Sequence, residues 1–162
     1  MVPLLLTFVL GTARERSGDE TSPWNAMHLV SQAAIEAGSL AQQRATSPEI
    51  RNLGRLMVRD NSAFDRRLSA LATARGIQLA EGPKPARIQF EELRGSHGVE
   101  FDRKFLNFGY AAAELLRKHM RDGAAQSGDA SLRDLIAIFD PIIQQDEFLS
   151  GWCLGHCVSK SP

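Results

Sequence analysis

The feature that most constrains this chain is a set of four stretches in which apolar residues recur every three or four positions. That spacing places apolar side chains along one face of an α-helix. No stretch shows the alternation of β-branched and polar residues that is typical of a half-buried strand. The stretches are separated by short segments rich in Gly, Pro and Ser, which end helices. The sequence therefore predicts an all-α chain that folds as an antiparallel four-helix bundle.

The first two helices have clear start signals, the Ser-Pro pairs at residues 22–23 and 47–48. In each pair, the serine can accept a hydrogen bond from a free backbone amide, and the proline suits the first helical position because it has no N–H to leave unpaired. We expect the first helix to run to about residue 45. The second should end at Gly76, because glycine commonly follows the last helical residue.

The two later helices are separated from the first two by a long connection, residues 81–98, which contains EGPKPAR. Its length permits a crossover between helices two and three, with a short helix around 88–93. The third helix is predicted over 99–121, where glycines follow. The fourth begins near Asp129 and contains Pro141, which removes one backbone hydrogen bond and favours a kink.

Length and composition indicate one globular domain, because 162 residues with 43% apolar and 23% charged side chains are enough to bury one core. The predicted bundle covers residues 22–150, and residues 151–162 form a tail.

Nineteen basic residues balance nineteen acidic ones. Without a net positive field to attract phosphates, binding to nucleic acid is disfavoured.

The first eleven residues, MVPLLLTFVLG, are an apolar run that is too short to span a bilayer. The run has the length of the apolar part of a secretory signal, although the usual basic start is missing. Residues 12–21 are polar and are interpreted as a linker. We therefore expect export; a short anchor and a buried first turn are the alternatives for residues 1–11.

The two cysteines of the chain, Cys153 and Cys157, both lie in the tail sequence WCLGHC. Two cysteines do not form a disulfide framework. Covalent haem attachment needs C-x-x-C-H, and a structural zinc site needs about four ligands. The ordinary interpretation is two tail thiols able to pair with each other, and a metal or redox site in the tail is the alternative.

The three-and-four spacing predicts one buried stripe on each of the two later helices. The stripe of the third helix contains Phe101, Phe105, Phe108, Ala112, Leu115 and His119, and that of the fourth contains Leu132, Leu135, Phe139, Ile142, Asp146 and Leu149. Asp146 is the most informative polar residue, because it lies on the apolar stripe of the fourth helix. A carboxylate in a core is costly unless it has a partner. Four polar residues on the stripes of the other helices could supply one: Glu36, Asp60, Asn61 and His119. Oxygen and imidazole ligands that converge from separate helices are what metal sites in bundles are made of.

Each of these residues also has an ordinary explanation. Asp146 could pair with an arginine, and the candidates are Arg55, Arg59 and Arg117. Glu36 could reach solvent at the edge of its stripe, and His119 could favour the negative end of its helix. The Glu-x-x-His pairs that build a di-iron centre are absent from the sequence. An oxidase centre is therefore not expected, and a non-enzymatic role is favoured.

Three segments resemble a known bacterial family. They are AIEAGSLAQQRATSPEIRNLGRLMVRDNSAFDRRLSALATARGIQL, then FDRKFLNF, then DASLRDLIAIFDPIIQQ. Together they resemble the domain-of-unknown-function family 4142 over about residues 24–150, and MVRD followed at the right distance by FDRKF is the most specific part. The resemblance implies a ferritin-like four-helix fold. It also implies a periplasmic or envelope location, since some members are described as putative outer-membrane proteins.

The resemblance also implies that a metal site has changed. Where the family typically has histidines on its second, third and fourth helices, this chain has Asn61, Ala113 and Asp146, whereas Glu36 matches the glutamate of the first helix. What remains is Glu36, Asn61 and Asp146, with Glu114 beside the alanine. These oxygen donors suit a hard divalent cation such as calcium, magnesium or manganese.

Three hypotheses follow. The first is a non-enzymatic envelope protein whose family metal site is degenerate and which acts through its surface. The second is a bundle that binds a divalent cation through Glu36, Asn61, Glu114 and Asp146, with a storage or stress-protection role. The third is an intracellular helical interaction domain in which residues 1–11 pack as structure.

Overall fold

A computed structural model of the chain describes residues 22–81 and 87–158, with no side-chain detail for 87–89. The predictions made for residues 1–21 lie outside this part. The described residues form five α-helices and no strand, so the all-α prediction is confirmed there. The helices are α1 (Pro23–Arg44), α2 (Pro48–Ala74), α3 (Arg87–Gly95), α4 (Gly98–Gln126) and α5 (Ala130–His156).

The predicted helix starts are largely present. The Ser47 hydroxyl accepts from the backbone N–H of Ile50 at 3.1 Å, and Asp129 caps α5 by accepting from the N–H of Leu132 at 3.1 Å. The prediction for Ser22 is wrong in one respect. Its side chain makes no capping hydrogen bond, and only its backbone carbonyl accepts from the first turn. Gly76 follows the end of α2 at φ +65°, a conformation that favours glycine.

Two helices are longer than predicted. α4 continues through Gly123 to Gln126. Gly123 is buried against α1, since a Cβ at this position would be 3.3 Å from Cε of Met27. α5 contains Pro141 as predicted but runs on to His156, beyond residue 150. Cys153 is 5% exposed, so this extension carries core residues and is not a loose tail.

The four long helices pack side by side in the order α1, α2, α5, α4, and α4 returns to α1. α2 and α4 hardly touch, so the connection that carries α3 joins helices that are not neighbours, as a crossover does. α3 lies against α1 and α4. Neighbouring helices run antiparallel, because in each pair of helices the contacts pair rising residue numbers on one helix with falling numbers on the other. The contacts are His28–Asp65 and Gly38–Gly54 between α1 and α2, Met27–Gly123 and Thr46–Asp102 between α1 and α4, Phe64–Phe139 and Arg75–Asp129 between α2 and α5, and Gly109–Ser150 and Arg117–Asp140 between α4 and α5.

α1 and α2 approach each other closely at two facing glycines. A Cβ on Gly54 would be 2.7 Å from the carbonyl oxygen of Gly38 and 2.8 Å from Cβ of Ala41. A Cβ on Gly38 would in turn be 2.6 Å from the carbonyl oxygen of Gly54. Only glycine leaves room for two backbones at this distance. The α1–α2 distance therefore depends on both glycines.

The buried stripes differ in detail from the predicted ones. On α4, Leu116 is 1% exposed whereas Leu115, predicted in the stripe, is 41% exposed. On α5, Ile143 and Ser150 are buried, in place of the predicted Ile142 and Leu149. The buried positions still repeat every seven residues, as Leu116 and Gly123 do on α4 and Ile143 and Ser150 do on α5. Where two apolar residues are adjacent, as at 115–116 and 142–143, the three-and-four spacing alone does not decide which of the two faces the core.

Candidate functional site: a polar layer in the core

Asp146 occupies the core position that its sequence pattern predicted. It projects from the middle of α5 and is 4% exposed. Its Oδ2 atom has no hydrogen-bond partner. A buried carboxylate oxygen without a partner carries a large desolvation cost, so this group needs a proton, a cation or water.

Asn61 on α2 lies at the same level as Asp146. Met57 and Ser150 both border Gly109, since a Cβ there would be 3.3 Å from Sδ of Met57 and 3.0 Å from Oγ of Ser150. Asn61 is one helical turn after Met57, and Asp146 is one turn before Ser150. Because α2 and α5 are antiparallel, one turn forward from Met57 and one turn back from Ser150 go in the same direction. Asn61 and Asp146 therefore lie at about the same height in the core.

Three other buried polar atoms also lack partners: Oδ1 of Asn61, Oγ of Ser150 and Oγ of Ser31. Asn61 uses its amide group to donate to the carbonyl of Met57 at 3.0 Å, which leaves its oxygen unpaired. Ser31 on α1 and Asn61 each lie two turns from the Gly38–Gly54 contact, on the same side of it. We call Ser31, Asn61, Asp146 and Ser150 the core polar layer.

The ionisation of Asp146 is strongly perturbed. Burial, and to a smaller extent the charge of Asp60 on α2, raise the pKa of Asp146 from its ordinary value of 3.8 to about 7. Arg59, also on α2, opposes both effects and is already included in this value. The carboxyl is therefore poised between its neutral and charged forms near neutral pH.

The three arginines proposed as partners of Asp146 are used elsewhere. Arg59 donates to both carboxylate oxygens of Asp60, at 2.7 and 2.9 Å. Arg117 donates to Asp140 and to Glu147, and Arg55 donates to Asn52. None of the three pairs directly with Asp146, so the ion-pair interpretation is wrong for them.

The structure brings together only part of the predicted ligand set. Asn61 and Asp146 both lie in the core polar layer. Glu36 lies at the surface of α1, where it accepts from Nη2 of Arg94 on α3 at 2.5 Å. Glu114 is exposed on α4. Within residues 22–81 and 87–158, no group of three or more His, Cys, Asp or Glu side chains is arranged to hold a metal ion.

Asp60 and His119, the other two polar residues singled out in the sequence, lie outside the core polar layer. Asp60 is buried but is paired with the exposed Arg59. His119 is half-buried near the end of α4, and burial, with a smaller contribution from Lys118, lowers its pKa. This histidine is therefore largely neutral near pH 7.

Sequence reasoning missed the two serines of the layer. Ser31 lies among Val30, Ala33 and Ala34 on α1, and Ser150 lies one turn beyond Asp146 on α5. A serine on an apolar stripe is a weak signal, because its hydroxyl usually bonds to the carbonyl one turn earlier. Ser150 lies seven residues after Ile143, so a stripe drawn through Ile143 instead of Ile142 would have included it.

No helix in the described part of the chain is long and apolar enough to cross a membrane. The fold and the site define an all-α protein in which four long antiparallel helices enclose a core polar layer. The chain belongs to the family described as domain of unknown function DUF4142, whose model matches residues 11–147. Comparison of this chain with the curated proteins and with the solved structures found no match.

Proposed function

We propose that this protein is an exported, non-enzymatic ferritin-like four-helix bundle whose core metal site is degenerate and which acts through its surface. The antiparallel packing of α1, α2, α5 and α4, with a crossover between the diagonal helices α2 and α4, supports the bundle. In this proposal, the core polar layer is what is left of a ligand set, and the binding function lies on the outer helix faces.

The observation that carries the proposal is the separation of the candidate ligands. Glu36 is neutralised by Arg94 at the surface, and Glu114 faces away from the core. The layer therefore retains one carboxyl group, Asp146, together with an amide and two hydroxyls. Calcium takes about six to eight oxygen ligands, and magnesium demands near-octahedral geometry, usually with carboxylates. One carboxyl with a pKa of about 7 is a poor basis for either site.

A second candidate function, binding of a divalent cation, is favoured by one specific observation. Asn61, Asp146 and Ser150 each present a buried oxygen with no hydrogen-bond partner. Oxygens of this kind are what a hard cation would satisfy, with water completing its coordination. A cation would also keep Asp146 ionised.

Elemental analysis by mass spectrometry separates the two candidates. It should be made on untagged protein purified from its native compartment, beside Asp146→Ala and a control, Asp134→Asn, which alters an exposed carboxylate of the same helix. The degenerate site predicts no stoichiometric metal in any of the three. One equivalent of metal in the wild type and the control, lost in Asp146→Ala, would establish the cation site instead.

The export part of the proposal rests on the apolar run at residues 1–11. Cell fractionation with N-terminal analysis of the mature chain tests it. A periplasmic or envelope-associated chain that starts near residue 12 or later is expected. Recovery of a chain that retains its first residues in the cytoplasm would instead support an intracellular interaction domain.

A further inference from the structure

We propose that Cys153 and Cys157 are a thiol–disulfide exchange site, in which Cys157 reacts first with an external disulfide and Cys153 then closes an intrahelical disulfide. The site lies at the C-terminal end of α5, just beyond Ser150 of the core polar layer, and does not depend on the function proposed above. Its substrate class is small or protein disulfides.

The geometry places the two sulfurs together. The Sγ atoms are 2.7 Å apart, and both cysteines are free thiols. Residues four apart in an α-helix have Cα atoms about 6 Å apart, within the range of about 4.4 to 6.8 Å that disulfides bridge. The backbone N–H of Cys157 donates to the carbonyl of Cys153 at 2.8 Å, which holds this spacing.

A second pair of side chains supports the same turn. The rings of Trp152 and His156 stack with centroids 4.7 Å apart, and the His156 ring nitrogen Nδ1 is 2.8 Å from the carbonyl oxygen of Trp152. These two contacts link the same two turns as the cysteine pair. The two sulfurs are thus kept facing each other, although Cys157 is the C-cap residue that directly follows α5.

The two thiols have different surroundings, and this assigns their roles. Cys157 is partly exposed, so an external disulfide can reach its sulfur. Cys153 is 5% exposed and packs in the hydrophobic core. Burial, and then the hydrogen bond with Cys157, raises the pKa of Cys153 to about 12. Cys153 is therefore protected from reagents in solution and reacts only with a sulfur brought next to it.

The exchange takes place in two steps. The Cys157 thiol releases its proton to water, its thiolate attacks one sulfur of a disulfide RSSR, the S–S bond breaks, and the departing RS⁻ takes up a proton from water. This forms a mixed disulfide between Cys157 and R. Cys153 then attacks the Cys157 sulfur and gives its proton to the second departing RS⁻. The two cysteines lose two hydrogens in total, and RSSR is reduced to two RSH.

The test uses glutathione disulfide as the probe on the full reduced chain, with free thiols trapped by alkylation and products read by intact mass. The wild type should lose two hydrogens and become resistant to alkylation, with little mixed disulfide. Cys153→Ser should stop at one bound glutathione on Cys157. Cys157→Ser should react at least tenfold more slowly than Cys153→Ser, because only the buried thiol remains.

The result that would overturn the proposal is a wild type that stays reduced or that accumulates a stable mixed disulfide. Equal reaction rates of the two single variants would overturn the assigned order. Circular dichroism should show that each variant keeps its helical content. If a variant loses helical content, the order is tested on the wild type instead, by partial alkylation followed by peptide mapping. Faster labelling of Cys157 supports the assigned order, and equal or faster labelling of Cys153 refutes it.

Discussion

Replacing Asp146 by asparagine tests whether a single ionisable group is buried in the core polar layer. The native pKa of about 7 lies above the ordinary value of 3.8. Between these two values the folded protein holds a proton that the unfolded chain has released. The free energy of unfolding therefore falls as pH rises from about 4 to about 7, and the loss is complete above pH 7. The shift corresponds to about 4 kcal/mol, as an order of magnitude.

The asparagine side chain would have nearly the same shape as the aspartate and no charge, so this pH-dependent loss should be absent from Asp146→Asn. The amide brings a hydrogen-bonding cost of its own, but that cost does not change with pH. The quantity to measure is the stability of the variant minus that of the wild type, by urea unfolding followed with circular dichroism at about pH 4 and about pH 8. We expect this difference in stability to be up to about 4 kcal/mol larger at pH 8 than at pH 4.

A matched control is Asp134→Asn, which removes a carboxylate from the exposed side of the same helix. Because the Asp134 side chain is exposed to solvent, its replacement should change stability by less than about 0.5 kcal/mol at both pH values. If Asp146→Asn also tracks the wild type, the carboxyl is not buried as an uncompensated acid. The core polar layer would then not contain a buried, unpaired carboxyl group.

Three further predictions concern the fold. Gly54→Ala should destabilise the protein by about 1 to 3 kcal/mol in denaturant unfolding, because its Cβ would lie 2.7 Å from a facing carbonyl oxygen; a stabilised variant would contradict the close approach. Ser47→Ala should lose about 1 kcal/mol with its capping hydrogen bond, whereas Ser22→Ala, which removes no cap, should lose much less; equal losses would refute the difference. Leu116→Ala should cost about 2 to 5 kcal/mol and Leu115→Ala less than about 1 kcal/mol, and the reverse order would restore the predicted stripe, which contains Leu115.

Much of the helical architecture could be predicted from local sequence. The three-and-four spacing, the Ser-Pro start at Ser47 and the glycine after α2 indicated elements that the structure contains. These signals are local, because capping and backbone conformation depend on a few neighbouring residues. The burial of Asp146 was also predictable, since its neighbours one turn away on either side are apolar or small.

Which polar residues share the core could only be decided by the tertiary structure. Glu36 and Asp146 look alike on their stripes, but Arg94 arrives beside Glu36 from a helix 58 residues further along the chain. Ser31 and Ser150 show no special pattern until antiparallel packing brings Ser31 to the level of Asn61 and Ser150 to that of Met57, one turn away. The sequence by itself determined the helices and one buried carboxyl group. The partners of that group depended on how the helices face each other, because contacts between distant segments leave no local pattern in the chain.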